Sequence, residues 1–558
     1  MSKEHAASPS GVMGSMVSRS GRPCDIARRL LRRSNATWSL TVSQTKSITA
    51  HGKSGDVDKA LELFDQMPHR NLVAYNAMLS VLIDSGRLDS SLQFFSRMPL
   101  KNSRSYTSMI TGMGRSGRVR EARRLFDSIP SRHRNVFAWT AMICCYAQND
   151  EPLRAVKLFT DSYGDFSQSK VAPNSHTFSL LLKSCGSLKS LVYVRQFHCM
   201  IAKILDLETK CCIFVQNALV DAYAKLGCLI DAERVFGRMK WKDLASWNTM
   251  MDCYTHNLLL HQAFEIFNSM KDKDILSWNI MMSGLLESRR GLEVPNLFLS
   301  LSRLYPESKP NSSTYSIVLS ACATHAMLEF GRQIHSCSYK ISLYPYNIFV
   351  SNALVTMYAN CGLMKEMVEV FDELPNKDVV SWNSVIQGFG QNGEAREALN
   401  LAKKALDSGM FNANTFTAIF TSCSHGGLVI EGLDYFNSMR RKYGIEPNLD
   451  HYVCVVDLLG RAGMVKEAND LLGSMPFPAN SVAWSTLLNA CSLHGSVDIG
   501  RVAARKLQMM EPGSVKSYLA LASAYNRTGN EGASSKLLDP IVENHTVKEH
   551  GSSWVIKM

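Results

Sequence analysis

The sequence predicts an all-α protein in which helix pairs stack side by side into an α-solenoid. Two observations carry this. The chain repeats itself: "SWNTMMDCYTHN" begins at Ser246, "SWNIMMSGLLES" begins 31 residues later at Ser277, and Ser-Trp-Asn returns at Ser381. Each repeat also holds two apolar stripes of helical period, and a single helix pair cannot bury such stripes without neighbours. At 558 residues the chain is too long for one ordinary core, which makes a periodic array the natural alternative to several domains.

The first 40 residues stand apart. Lys3, Arg19, Arg22, Arg28, Arg29, Arg32 and Arg33 face only Glu4 and Asp25, so +5 of the net +12 charge lies here and +7 is spread over the rest. The stretch is rich in Ser and Ala and contains "IARRLLRRS", a pattern similar to an organellar transit peptide, mitochondrial before plastid. A disordered basic tail is the alternative.

From Thr41 to Asn480 thirteen repeats are expected, beginning at Thr41, Leu72, Ser103, Val136, Ser175, Ile213, Leu244, Ile275, Ser312, Ile348, Val379, Ala413 and Leu449. In most, an aromatic is followed three, four and seven residues later by apolar side chains, as in Tyr75, Met78, Leu79 and Leu82; that is one face of a helix. A Gly-containing break follows, such as "SGRL" from Ser85. The second stripe starts with a small residue, as in Ala60, Leu63, Phe64 and Met67, which lets the paired helices approach closely. Pro, Asn and Asp close the repeat, as in "MPHRN" and "ELPNKD". Met367 stands where other repeats have the small residue, so a local distortion is expected there.

Other function classes fit poorly. No run of about 18 apolar residues is present to span a membrane, so no membrane insertion is expected. The fifteen cysteines never stand three apart, which argues for small core residues rather than zinc ligands or a disulfide framework. The Trp and Met stripes at helical spacing read as core, not as a cofactor box.

Several stretches carry a family resemblance: "NALVDAYAKLGCLIDAERVF" from Asn217, "NALVTMYANCGLMKEMVEVF" from Asn352, "FSLLLKSCGSLKSLVYVRQFH" from Phe178, "YSIVLSACATHAMLEFGRQIH" from Tyr315, and "VCVVDLLGRAGMVKEANDLLGSMPF" from Val453. They resemble plant pentatricopeptide-repeat (PPR) proteins of the subclass that mixes P, long (L) and short (S) repeats. Tetratricopeptide repeats are also helix pairs, but hold a constant length near 34. The resemblance implies a right-handed solenoid that binds single-stranded organellar RNA, one base per repeat, read by the repeat's fifth and last residues. Those pairs are Thr45 with Asn71, Asn76 with Asn102, Thr107 with Asn135, Thr140 with Asn174, Asn217 with Asp243, Asn248 with Asp274, Asn279 with Asn311, Ser316 with Asn347, Asn352 with Asp378, Asn383 with Asn412, and Thr417 with Asn448. Ser179 with Cys212 and Val453 with Asn480 depart from the family's code and leave their bases open.

The chemistry of the pairs is donor and acceptor matching. Asp offers only acceptors and suits the ring N–H of uracil, whereas an amide offers both kinds of group. The implied string, from 5′ to 3′, is A, pyrimidine, A, A, open, U, U, pyrimidine, A, U, pyrimidine, A, open. Asn or Asp at a repeat's end is also a good N-cap for the next helix, and the two roles are compatible. Capping does not explain why Asp243, Asp274 and Asp378 all accompany a fifth-position Asn.

After Asn480 the pattern shifts. "SVAWSTLLNACSLHGSVDIG" and "SVKSYLALASAYNRTGNEG" still read as helix pairs, and residues 481–558 resemble the E-type extension of organellar C-to-U editing factors. Relatives continue into a DYW-type cytidine deaminase with zinc motifs, but here no His is followed two residues later by Glu and CxxC is absent. The resemblance therefore implies a recognition factor that is not itself an enzyme and needs no cofactor, with a DYW-type deaminase and other editing factors acting in trans in the mitochondrion or, alternatively, the chloroplast. A role in RNA stabilisation, processing or splicing is the alternative, and a peptide-binding scaffold is the alternative of another class.

Overall fold

The computed structural model describes residues 41–130, 134–161, 172–205, 207, 209, 212–304, 309–511 and 515–535. The expected leader, 1–40, and residues 536–558 of the expected extension lie outside them. Among the described residues every regular element is a helix.

Beyond the first repeat, whose start adjoins residues outside the described ones, each first helix begins at the position the apolar pattern marks. Residues 41–53 are helical, and first helices follow at Leu72–Asp84, Ser103–Arg115, Val136–Gln148, Ser175–Ser187, Ile213–Lys225, Leu244–His256, Ile275–Glu287, Ser312–Thr324, Ile348–Asn360, Val379–Gln391, Ala413–Gly426 and Leu449–Arg461. The cause is the residue before each one. Asn71, for example, sits in extended geometry and its side chain accepts the Ala74 amide, which ends the preceding loop and starts the helix. Cys212 is the exception among these caps, since its side chain makes no cap hydrogen bond.

The first helix and its turn keep a constant length, and the rest of the repeat does not. First helices span 13 residues, as in Leu72–Asp84, or 14 in Ala413–Gly426. Second helices range from 9 residues in Val57–Asp65 to 15 in Val429–Tyr443. The fifteenth residue of each repeat adopts positive φ. It is glycine in most, such as Gly86 and Gly362, but Asp150, Lys189, Leu258, Arg289 and Ala326 hold the same geometry.

The chain divides into two compact units, Met1–Asp272 and Lys273–Met558. Within each, a first helix packs on its own second helix and on the first helix of the next repeat. In both units an aromatic at the fourth position meets a Phe of the preceding second helix edge to face: Tyr75 on Phe64 at 5.1 Å and Trp139 on Phe126 at 4.9 Å in the first unit, Trp382 on Phe371 at 5.1 Å in the second. Each such pair adds about 0.5–1.5 kcal/mol to area burial. The small residues Ala60, Ala122, Ala232 and Ala398 are fully buried, as the close approach requires.

Met367 does not distort its helix, Met364–Glu373, and is itself fully buried. Gly388 in the next first helix makes the room: a Cβ there would stand 2.5 Å from the Met367 sulfur. The sizes are exchanged one repeat earlier, where Gly331 lies against Met357, 2.7 Å from a would-be Cβ to the sulfur. The contact conserves volume rather than residue type.

After Asn480 the chain remains helical over the described residues. Asn480 caps Ser481–His494, Gly495 takes the positive-φ position, and Val497–Met510 and Val515–Arg527 continue the stacking.

Candidate nucleic-acid interface

The closing residue of a repeat is fixed from two sides. The basic residue before it is tied back to the preceding helix: Lys101 Nζ donates to the Met98 carbonyl at 2.9 Å, Lys242 to Met239 at 2.8 Å and Lys377 to Leu374 at 3.2 Å. Each also lies over a phenylalanine ring, Phe95, Phe236 or Phe371. These lysines anchor the chain. The closing side chain then caps the next helix through Oδ1.

In the Asn-type repeats the fifth residue reaches that same Oδ1. Asn76 Nδ2 donates to Asn102 at 3.3 Å, Asn217 to Asp243 at 3.5 Å, Asn279 to Asn311 at 3.4 Å, Asn352 to Asp378 at 3.2 Å and Asn383 to Asn412 at 3.2 Å. Every hydrogen bond described for the Asp243 side chain falls on Oδ1: from the amide and hydroxyl of Ser246 at 2.8 Å each, and from Asn217. The cap and the fifth-position amide thus share Oδ1 in Asp243 and Asp378, as they do in Asn102, Asn311 and Asn412; the second polar atom is Oδ2 in the first two and Nδ2 in the other three. The first presents an acceptor and the second a donor. Asn248 is buried in the first compact unit, and Asp274 caps its helix by accepting the Ser277 amide in the second.

Partial burial alone would raise the Asp243 and Asp378 carboxyls. Hydrogen bonds from Ser246 and Asn217, and from Ser381 and Asn352, outweigh it and hold both below the usual carboxylate value.

The hydroxyl-type pairs do not meet directly. Thr45, Thr107 and Ser179 give their hydrogen to their own helices, at the carbonyls of Thr41, Ser103 and Ser175. Thr140 does the same at Val136 and also touches Thr177, which bonds Asn174. Asn71, Asn135, Asn347, Asn448 and Asn480 cap their helices. Ser316 Oγ is buried with no hydrogen-bond partner, and no bond joins the Thr417 side chain to Asn448. Proximity nonetheless holds at the start of the array. Asn102, Thr107 and Asn135 line one groove of about 950 Å³, and Thr45, Asn76 and Asn102 line the groove of about 540 Å³ beside it.

One set of residues escaped the sequence reading. The second residue of a repeat is apolar and exposed in Val73 (64%), Phe137 (62%), Phe214 (72%) and Phe349 (71%), and likewise in Leu276 and Val380. Val73 and Phe137 line the two grooves, with the exposed Arg104 at the same position between them. Apolar side chains kept out of the core at one fixed position offer flat faces for planar ligands. The available signal was an apolar residue two positions after the cap in six repeats, Val73, Phe137, Phe214, Leu276, Phe349 and Val380, outside the core stripe.

The arrangement defines a helical-repeat protein in which five repeats join their fifth-position asparagine to the closing Asn or Asp. The family model described as PPR repeat matches ten segments, 48–72, 73–103, 104–133, 137–161, 217–244, 245–275, 349–379, 380–410, 414–443 and 450–476, and the chain belongs to this pentatricopeptide-repeat family. It is 35% identical over 425 residues to a chloroplastic pentatricopeptide repeat-containing protein of Arabidopsis thaliana, covering 76% of this chain and 44% of that protein. A mitochondrial member from the same plant is 32% identical over 423 residues, 76% and 60% of the two chains. The chain thus spans about half the length of such relatives. Among solved structures, the pentatricopeptide repeat protein PPR10 from maize aligns at 17% identity over 90% of this chain and 84% of that one, with a TM-score of 0.45. Its complex with an 18-nt psaJ RNA element aligns over 95% and 88%, at 17% identity and a TM-score of 0.40.

Among the described residues no group of three or more His, Cys, Asp or Glu is placed to hold a metal ion, and no helix is long and apolar enough to cross a membrane. Most described cysteines are buried or half-buried; Cys199 and Cys337 are exposed.

Proposed function

We propose that this chain binds single-stranded RNA in a plant organelle, reads it one base per repeat, and selects cytidines for C-to-U editing by a zinc-dependent deaminase. The observation that carries the reading is the shared Oδ1. Capping and the fifth-position amide both use that oxygen, so the second polar atom of the closing side chain is left for a base edge. Asp243 and Asp378 present Oδ2, which accepts from the N3–H of uracil and repels the unprotonated N3 of cytosine. Asn102, Asn311 and Asn412 present Nδ2, which donates to N3 of cytosine. The exposed Val73, Phe137, Phe214 and Phe349 supply the faces between which bases lie, and Arg104 supplies charge for the backbone. The relatives' names include chloroplastic and mitochondrial proteins, which fits either organelle. The E-like helices from Ser481 form the side on which the deaminase is recruited.

Sequencing of organellar transcripts from a plant lacking the protein tests this. Loss of one or a few C-to-U changes, each downstream of a stretch matching the implied base string, is the expected result. Intact editing together with altered transcript ends or lost splicing would replace editing by RNA processing, while leaving base reading in place.

A further inference from the structure

We infer that the third-position hydroxyls Ser105, Thr314 and Ser381 are positioning residues for the base-reading asparagines Asn76, Asn279 and Asn352 of the repeats before them. The inference rests on the base-reading proposal and adds a determinant to it.

The sequence correlation comes first. Fifth-position asparagines are Asn76, Asn217, Asn248, Asn279, Asn352 and Asn383, and the third residues of the repeats that follow are Ser105, Ser246, Ser277, Thr314, Ser381 and Thr415. All six carry a hydroxyl. Where the fifth residue is not asparagine, the following third residue is Ala74, Ala138, Val215, Val350, His451 or Ala483, with Thr177 the one hydroxyl. Capping cannot produce this pattern, because Asn71, Asn135, Asn347 and Asn480 cap their helices without a hydroxyl at that place.

Geometry gives the reason. Ser105 Oγ donates to Asn76 Oδ1 at 2.7 Å, Thr314 Oγ1 to Asn279 Oδ1 at 2.8 Å, and Ser381 Oγ to Asn352 Oδ1 at 2.7 Å, each a shorter contact than the same hydroxyl makes to the competing cap oxygen of Asn102 (3.0 Å), Asn311 (3.0 Å) or Asp378 (2.8 Å). With its carbonyl held there and one Nδ2 hydrogen on the closing residue, the amide cannot flip without losing both bonds. The remaining Nδ2 hydrogen keeps one direction, so the asparagine offers a base a donor only. In two repeats the hydroxyl serves the cap alone. Ser246 Oγ bonds Asp243 and Thr415 Oγ1 bonds Asn412, and the Asn217 and Asn383 carbonyl oxygens are buried without a partner.

That difference supplies the control. Ser246→Ala removes a capping-box hydroxyl that does not touch an asparagine carbonyl, whereas Ser381→Ala and Ser105→Ala remove one that does. Purified full-length variants are titrated with four RNAs that differ only at the base facing the repeat concerned. Ser381→Ala is expected to lower discrimination at its base about three- to tenfold, the size of one neutral hydrogen bond. Ser381→Thr is expected to restore it, and Ser246→Ala to weaken all four RNAs alike. Asn352→Ala is measured beside them. If it leaves the base preference unchanged, the reading itself is wrong. If Asn352→Ala changes the preference while Ser381→Ala behaves like Ser246→Ala, with a lower Tm and uniform weakening, the positioning role is overturned and base reading survives.

Discussion

In five repeats one oxygen takes both the helix cap and the fifth-position amide, which on the proposed reading leaves the second polar atom of the closing side chain for a base. Because Oδ1 of Asp243 caps its helix and Asn caps as well as Asp, Asp243→Asn should leave the Tm nearly unchanged. It replaces the acceptor at the ligand side by a donor, so preference should move from U toward C, with a loss on the original RNA of about 1–3 kcal/mol. Titrations against the two RNAs check this, and a lowered Tm with unaltered preference would return Asp243 to capping alone. The depressed carboxyls of Asp243 and Asp378 add a pH dependence. Groups with lowered folded-state pKa contribute stability above their ordinary value and lose it as pH falls through the folded one. The U preference at these two repeats should therefore be the same at pH 7 and pH 5, since both stay ionised. The residue scale was also where the sequence was read least completely. The closing Asn and Asp were legible because a cap and an apolar stripe coincide. The exposed second-position residues were not, because an apolar residue in an apolar helix is assigned to the core by periodicity.

Each repeat is a constant first helix and turn followed by a variable remainder, and two of its contacts can be tested. Leu258 occupies the positive-φ position that glycine holds in most repeats, and its side chain is 61% exposed. Left-handed geometry costs a side-chain-bearing residue about 1–2 kcal/mol, so Leu258→Gly should raise stability by about 1 kcal/mol in denaturant unfolding, despite the entropy that glycine adds to the unfolded chain. Met367 and Gly388 form the other test. Met367→Ala opens a cavity costing about 2–5 kcal/mol, and Gly388→Ala overpacks the same contact by about 1–3 kcal/mol. The double variant should cost less than their sum by more than about 0.5 kcal/mol. The sequence flagged Met367 as an intruder, because its compensating glycine lies in another repeat and no periodicity points to it. Helix starts, in contrast, were legible to the residue, since cap, aromatic and stripe agree.

At the scale of the whole molecule, binding a polyanion along a row of repeats releases counterions. Affinity for a matched single strand should fall steeply between about 50 and 200 mM salt, and a duplex of the same sequence should bind poorly because its base edges are already paired. Equal affinity for both would remove base reading. Stability should also fall on acidification. His198 and His335, each 2.9 Å from a tyrosine hydroxyl, and His451, 2.8 Å from the Ala413 carbonyl, are held below their ordinary pKa, chiefly by burial. Lowered folded-state values mean that the unfolded chain takes up protons first, so their contribution is present above about pH 6.5 and is lost as pH falls through the folded values. A lower Tm at pH 5.5 than at pH 7.5 is the expected result.

The fixed length of the first helix and its turn separates two kinds of change in the gene. Insertions and deletions confined to the second helix or the following loop leave the cap, the fifth residue and the turn in step, so a repeat can gain or lose residues without moving its neighbours' reading pairs. A single residue added between a cap and the fifth position would instead rotate that side chain by about 100° around its helix and blank one base. Length variation in such a gene should therefore collect in the second helix and the loop after it. Whole repeats, cut from cap to cap, become interchangeable parts from which a new target sequence can be assembled by duplication and exchange.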